Sequence, residues 1–284
     1  MTHVMACIDN SQSSLAVCDY AAWASQQLVD APLTLLHVLD EEKYPAAADL
    51  SGNIGLGSRE HLLEELATLD AQRARVALEQ GQHMLESARE RTVNFGAAAP
   101  ELKQRHGHLV ESLSDLQDDI RLLVIGKVGE DSARDTSTLG RQIEAVVRTI
   151  QRPILITANR YKKPETVMLA FDGSPTAQKT VQMLAASPLC KGLPIHLVMV
   201  GVDSTDNRDV LGKAADVLLS AGFDVKTQIR SGDVEAALHD YQAEQGIDLL
   251  VMGAYGHSRI RQFLVGSTTT TMLRTATIPV LLLR

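Results

Sequence analysis

Three glycines and a hydroxyl-rich segment near the end of the chain have the residue types and spacing of a phosphate-binding site. Gly253 and Gly256 lie three positions apart, and Gly266 follows after nine further residues, directly before the segment 267–269 (Ser-Thr-Thr). Glycine allows a backbone to approach a bulky polyanion closely. A helix that begins after Gly266 offers unpaired N–H groups and the positive end of its dipole, both of which suit phosphate oxygens.

The residues around these glycines indicate which elements must present them. The apolar run 249–252 (Leu-Leu-Val-Met) predicts a short buried strand that ends at Gly253. Arg259 and Arg261 add positive charge between the second and third glycines. The sequence therefore predicts that the segment 253–269, which we name the second glycine motif, follows the carboxyl end of a strand and leads into a helix.

The chain also contains an internal repeat. Five blocks recur in the same order, which indicates a duplication. The paired blocks are 4–11 and 167–174, 32–38 and 194–200, 105–113 and 230–238, 122–129 and 249–256, and 153–156 and 279–282.

Within each copy, apolar runs of strand length alternate with longer helical patterns, which predicts an α/β fold with a parallel sheet. The polar segment 158–164 between the copies is the natural boundary, so we expect one domain at 1–160 and another at 161–284. Ligands of open α/β sheets lie beyond the carboxyl ends of the strands. Asp9 and Asp172 follow the first strand of each copy, so both are expected at such a rim.

The pattern Gly-x2-Gly-x9-Gly-Ser, between the strand at 249–252 and the segment 279–283 (Pro-Val-Leu-Leu-Leu), resembles the nucleotide motif of universal stress proteins. The resemblance covers nearly the whole chain, because most of the domain occurs twice. It implies two tandem open parallel-sheet domains of the Rossmann-like, adenine nucleotide alpha hydrolase-like type. It also implies that the domains pair through the strands 154–157 and 280–283 as an intramolecular pseudo-dimer.

The resemblance implies ATP as the ligand, together with Mg²⁺ or Mn²⁺, and it assigns roles in the second copy. Asp172 would accept hydrogen bonds from the ribose or adenine side, and the backbone at Val200 would meet the adenine edge. The ribose and the first phosphates, and then the outer phosphates, would be held by Met252, Gly253, Tyr255, Gly256, Gly266, Ser267, Thr268 and Thr269. Two alternatives stay open: Asp172 as a turn residue, and Tyr255 as packing for the loop.

The first copy carries a degenerate version of the motif. Gly126 and Gly129 keep their spacing, but ten residues separate Gly129 from Gly140, and Arg141 stands where the second copy has Ser267. A serine hydroxyl bonds a phosphate without filling its space, whereas an arginine is bulky, although it can also grip a phosphate bidentately. We therefore expect nucleotide mainly in the second domain, with binding by the first domain left open.

A long insertion at 41–92 distinguishes the first copy. Its segment 45–57, with three alanines and three glycines, predicts a mobile loop, and the segment 58–91 predicts a long helix with an apolar stripe. Such stripes usually face a core, so we expect the helix to cover the sheet. A surface for a protein partner is the alternative.

Composition excludes several classes of function. A formal net charge of −8 argues against a general binder of nucleic acids or membrane surfaces. No signal-peptide pattern or membrane-length apolar run is visible, and Cys7, Cys18 and Cys190 lack metal or redox spacing, so we expect a cytoplasmic protein with buried thiols.

Three functional hypotheses follow. The first is an ATP-binding regulatory protein of the stress response, without a catalytic residue. The second is a slow ATPase or nucleotide-dependent enzyme on the same fold, for which His257 is the weak candidate base. The third is a nucleotide-free interaction scaffold. Whether two chains associate as a homodimer is left open by the sequence.

Overall fold

The computed structural model describes residues 2–40, 58–127, 141–254 and 267–284. Strands and helices alternate in both copies, as the sequence predicts. The first copy contains β1 (His3–Cys7), α1 (Ser14–Gln27), β2 (Leu33–Leu39), α2 (Ser58–Asn94), β3 (Glu101–His106), α3 (Leu109–Asp115), β4 (Ile120–Gly126), α4 (Arg141–Thr149) and β5 (Ile154–Thr157). The second copy contains β6 (Val167–Ala170), α5 (Pro175–Ala186), β7 (Ile195–Val200), α6 (Thr205–Ser220), β8 (Val225–Arg230), α7 (Val234–Gln245), β9 (Leu249–Gly253), α8 (Ser267–Thr275) and β10 (Val280–Leu283).

All ten of these strands form one sheet, in the order β3-β2-β1-β4-β5-β10-β9-β6-β7-β8. Within each copy the neighbouring strands are parallel. The two copies meet at an antiparallel pair of β5 and β10, in which Leu155 lies opposite Leu281. Each last strand therefore covers the apolar edge of the other, which confirms the intramolecular pseudo-dimer.

Helices cover both faces of the sheet. Helices α1, α2, α5 and α6 pack on one face, and their core includes Val124, Leu155 and Leu281. Helices α3, α4, α7 and α8 pack on the other face, and their core includes Leu123, Ile154 and Leu282. Neighbouring residues of one strand thus enter opposite cores, as the alternation of side chains along a strand requires. Among the described helices, none combines the length and the apolar character needed to cross a membrane.

Helix α2 is buried on one side of its second half and is more exposed in its first half. In its second half Ala77, Leu85 and Ala88 are buried, so the prediction that the helix covers the sheet is confirmed for that part. In its first half Leu66 and Leu69 are about half exposed. The predicted mobile loop at 45–57 lies outside the described residues.

The segment between the copies is fixed to both of them. The ring of Tyr161 contacts Tyr20 and Phe95 edge-on, with ring centroids 4.8 and 4.9 Å apart. Lys162 forms an ion pair with the buried carboxylate of Asp248. An aromatic cluster and a charged pair therefore hold the connection against β9 and the first copy.

Candidate functional site

The strand order of the second copy reverses between β6 and β9, since β7 and β8 lie on one side of β6 whereas β9 and β10 lie on the other. Strands β6 and β9 are parallel neighbours, with Leu169 opposite Val251. Helix α5 follows β6 and packs on one face of the sheet, whereas α8 precedes β10 and packs on the other face. Two helices that leave adjacent strands for opposite faces create a crevice between them, which is the usual ligand position in an open α/β sheet. We call this the β6–β9 crevice.

Asp172 lies at the β6 side of this crevice and is exposed. Its Oδ1 accepts a hydrogen bond of 2.9 Å from the backbone N–H of Ser174. Gly173 between them has a φ of +75°, which favours glycine. Ser174 in turn caps α5 by accepting a bond from the N–H of Ala177. Asp172 therefore is a turn residue, as the alternative predicted, and its carboxylate remains accessible to solvent.

Gly253 ends β9 on the other side of the crevice, and the structure gives it a packing role. A Cβ at this position would lie 2.9 Å from Oγ1 of Thr180 and 3.0 Å from Cγ2 of Thr176, both on α5. Met252 before it is buried in the opposite core. The absence of a side chain at Gly253 therefore allows α5 to pack against the end of the strand.

Val200 and the start of α8 complete the described part of the site. Val200 is the last residue of β7, adjacent to β6, and is half-buried. Helix α8 begins at Ser267, and Thr269 in its first turn is buried. The structure describes the backbone alone at Ser267 and Thr268. The other predicted residues, Tyr255, Gly256, Gly266, His257, Arg259 and Arg261, lie outside the described residues.

The equivalent aspartate of the first copy has a different environment. Oδ1 of Asp9 accepts bonds from the hydroxyls of Ser11 and Ser14, at 2.5 and 2.8 Å, and from the backbone N–H of Ser11 at 3.1 Å. Three donors thus converge on one oxygen, whereas Oδ1 of Asp172 accepts from a backbone N–H. In this copy Gly126 also has a packing role, because a Cβ there would lie 2.8 Å from Cβ of Ser13.

Helix α4 of the first copy begins at Arg141, as the aligned motifs predict. Gly129 and Gly140 lie outside the described residues.

One contact near the site was not predicted from the sequence. The ammonium group of Lys127, which follows Gly126 in the degenerate motif of the first copy, donates hydrogen bonds to the backbone carbonyls of Arg274 and Ala276, at 2.5 and 2.8 Å. These carbonyls lie at the end of α8, in the second copy. Burial lowers the pKa of Lys127. The sequence signal is a lysine where the aligned second copy has Ala254, but the separation along the chain conceals its partner.

The cysteines are poor nucleophiles in this fold. Cys18 and Cys190 are buried, which confirms the prediction for these two, and Cys7 is half-buried. Burial raises the pKa of Cys18 and Cys190 from 9.0 to about 12. A thiol with such a pKa has little thiolate at neutral pH.

The comparisons with known proteins agree with this architecture. The model of the universal stress protein family matches residues 1–158 and again 164–284. The chain is 36% identical over 288 residues to the universal stress protein Slr1230 of Synechocystis sp., with all of both chains covered. Among solved structures, a universal stress protein from Archaeoglobus fulgidus has a TM-score of 0.73 at 18% identity, covering 99% of this chain and 98% of that one.

A second solved structure, described as a universal stress protein of Pseudomonas aeruginosa, has a TM-score of 0.62 at 15% identity and covers 100% of this chain and 93% of its own. At such identities the solved structures support the fold alone. The family match over both copies and the full-length relative show more: the chain belongs to the universal stress protein family, and it carries the family's domain twice.

Proposed function

We propose that this chain is an ATP-binding regulatory protein of the stress response, and that its second domain holds the nucleotide in the β6–β9 crevice. The observation that carries the proposal is the exposed Asp172 carboxylate, which lies at a position where adjacent parallel strands send their helices to opposite faces. The crevice and the N-terminus of α8 supply complementary chemistry, since a carboxylate accepts from ribose hydroxyls and helix N–H groups donate to phosphate oxygens.

Each part of the bound ATP would contact a different element of the second domain. The exposed Asp172 would accept hydrogen bonds from the ribose or adenine side, and the backbone at Val200 would meet the adenine edge. The backbone of Met252 and Gly253 would flank the ribose, because the Met252 side chain is buried. The first turn of α8, Ser267 to Thr269, would bind the phosphates together with the loop before it. A divalent ion, Mg²⁺ or Mn²⁺, would neutralise part of the phosphate charge.

The first domain is the weaker nucleotide site. Hydroxyl groups of Ser11 and Ser14 already donate to Asp9, so a ribose would have to displace them. Helix α4 begins with a bulky Arg141 where α8 begins with Ser267. A binding stoichiometry of about one ATP per chain follows from this asymmetry.

The test is a titration of the full chain with ATP and magnesium, combined with the nucleotide content of protein purified without added ligand. Replacing Ser267 by the arginine of the first copy, Ser267→Arg, is expected to abolish binding. Asp172→Ala is expected to weaken it about tenfold, because a charged hydrogen-bond acceptor is lost. The matched control is Asp9→Ala, which should keep wild-type affinity. No binding by the wild-type chain would refute the proposal.

The same samples distinguish regulation from catalysis. A binder that acts through its conformation or a partner retains ATP, whereas the alternative, a slow ATPase, accumulates ADP with time in the presence of magnesium. His257, the candidate base, lies outside the described residues. We propose that ATP acts as a ligand in the cytoplasm, and not as a substrate, so the wild-type chain should release intact ATP.

A second candidate function is partner binding through α2, and a specific observation favours it. Leu66, Leu69 and Val76 are 48%, 49% and 52% exposed, and their spacing of three and seven residues aligns them on one helix face. A helix that presents apolar residues in this way is suited to pack against another helix. Replacing all three residues by glutamine should leave ATP affinity unchanged and abolish co-purification of the partner.

A further inference from the structure

The first domain contacts the end of the helix that begins at the proposed phosphate site. Lys127 follows β4 directly, and its Nζ donates to the backbone carbonyls of Arg274 and Ala276. Helix α8 spans Ser267–Thr275, so these carbonyls belong to its final turn and to the residue beyond it. The contact crosses from one copy to the other beside the antiparallel junction of β5 and β10.

The carboxyl end of α8 is a favourable position for a positively charged side chain. The last carbonyls of a helix have no partner within the helix, and they carry the negative end of its dipole. A lysine ammonium group satisfies both at once. The polar neighbours that α7 contributes here are His239, whose Nε2 pairs with Oγ1 of Thr275 at 2.8 Å, and Gln242, whose amide donates to Oγ1 of Thr277. Lys127 adds a positive charge from the first domain to that of Arg274, which lies in the last turn of α8 itself.

Helix α8 needs external contacts to keep its position. It has nine residues, and helices of fewer than about 12 residues are marginal in isolation. Met272 and Leu273 anchor one side of it in the core, and Lys127 holds its carboxyl end. A short rigid helix that is displaced at one end changes the direction of the N–H groups at the other end.

We propose that Lys127 of the first domain is a positioning residue for the nucleotide site of the second domain. This inference rests on the proposed function. The first domain, which carries the degenerate motif, then supports α8 and thereby affects the affinity of the second domain for the phosphates. The aligned position of the second copy is Ala254, whose short side chain cannot make the equivalent contact with α4 of the first copy. Nucleotide binding should in return tighten the junction, because coupling free energies are reciprocal.

The experiment compares ATP titrations of four full-length chains: wild type, Lys127→Met, Lys127→Arg and Lys191→Met. Lys127→Met keeps most of the length of the side chain and removes its charge, and it should weaken ATP binding about fivefold. Lys127→Arg should restore most of the affinity, since it also donates to carbonyls. Lys191→Met is the matched control, because Lys191 donates to the carbonyl of Ala221 at the end of α6. It should retain wild-type affinity.

Hydrogen exchange of the ligand-free chains tests the route of the effect. Faster exchange of α8 amides in Lys127→Met, with unchanged exchange in α6, is expected. Equal ATP affinity of Lys127→Met and wild type overturns this inference and leaves the proposed function intact. Weaker binding with unchanged exchange in α8, or no rescue by arginine, also overturns it. An absence of ATP binding by the wild-type chain overturns the proposed function itself.

Discussion

The glycines at the ends of β4 and β9 lie in the predicted phosphate motifs and also allow helices to pack closely against the strands. The spacing of Gly253 from Gly256 indicated phosphate binding, yet the structure shows that Gly253 is also needed by helix α5. Gly126 has the same relation to Ser13 in the first copy. The sequence shows that a glycine stands at each strand end. The neighbouring atoms that leave no room for a side chain there are known only from the structure.

Gly253→Ala is therefore expected to reduce stability even without a ligand. Its Cβ would press on Thr180 and Thr176 of α5, and overpacking of this kind costs about 1–3 kcal/mol. The matched control is Gly212→Ala in α6, where a Cβ meets no atom within 4 Å and alanine is the better helix former by about 1 kcal/mol. Urea unfolding should thus shift in opposite directions for the two variants. A neutral Gly253→Ala would contradict the packing role.

At the scale of elements, one charged pair joins α1 to α2 beside their apolar contacts. Arg91 donates two hydrogen bonds, of 2.8 and 2.7 Å, to the carboxylate of Asp19, which is 5% exposed. The carboxylate raises the pKa of Arg91. This pair fixes the second half of the insertion to α1, whereas in the second copy the shorter helix α6 shares an apolar core with α5.

Removing the arginine should leave a buried charge without its strongest partner. We expect Arg91→Met to lower the free energy of unfolding by about 2 kcal/mol, in the range of a charged hydrogen bond. Asp19→Asn in the same chain should recover part of the loss, because an amide is less costly to bury than a carboxylate. Thermal or urea unfolding of the single and double variants measures both effects. Additive losses would show that the pair is not coupled.

The elements differ in how well the sequence predicted them. Helix α5 begins at Pro175, directly after the capping Ser174, and such a start can be recognised in a sequence because capping involves residues a few positions apart. The long helix of the insertion was also predicted from its own residues. The contact of Lys127 with α8 was not, since it joins residues 147 and 149 positions apart. Local patterns predict elements, and tertiary contacts decide what each helix touches.

At the scale of the whole molecule, the antiparallel junction should hold the two domains together without their covalent connection. We predict that a protease site inserted after Asn159 in the full chain can be cleaved while the halves still elute together in gel filtration. The pairing of β5 with β10 and the burial of Leu155 and Leu281 provide the reason. Separate elution of the halves under native conditions would contradict this prediction.

Buried thiols also make the whole molecule sensitive to alkaline pH. Burial raises the pKa of Cys18 and Cys190 from 9.0 to about 12, so the native chain keeps protons that the unfolded chain releases between these values. Stability from this source is complete below pH 9 and declines as pH rises towards 12. Each thiol contributes a slope of up to about 1.4 kcal/mol per pH unit. Urea unfolding from pH 7 to 11 measures the decline, and Cys190→Ala should reduce its slope.

The junction of β5 and β10 has a consequence for how such a protein changes in evolution. Two identical subunits joined by a twofold axis share one gene, so every substitution appears in both and must be tolerated in both. Here each half has its own coding segment within one gene, so a residue can change in one half alone. Arg141, which aligns with Ser267, and Lys127, which aligns with Ala254, are such changes in one copy alone. Fusion of the pair thus permits a division of labour that a symmetric dimer of identical chains forbids.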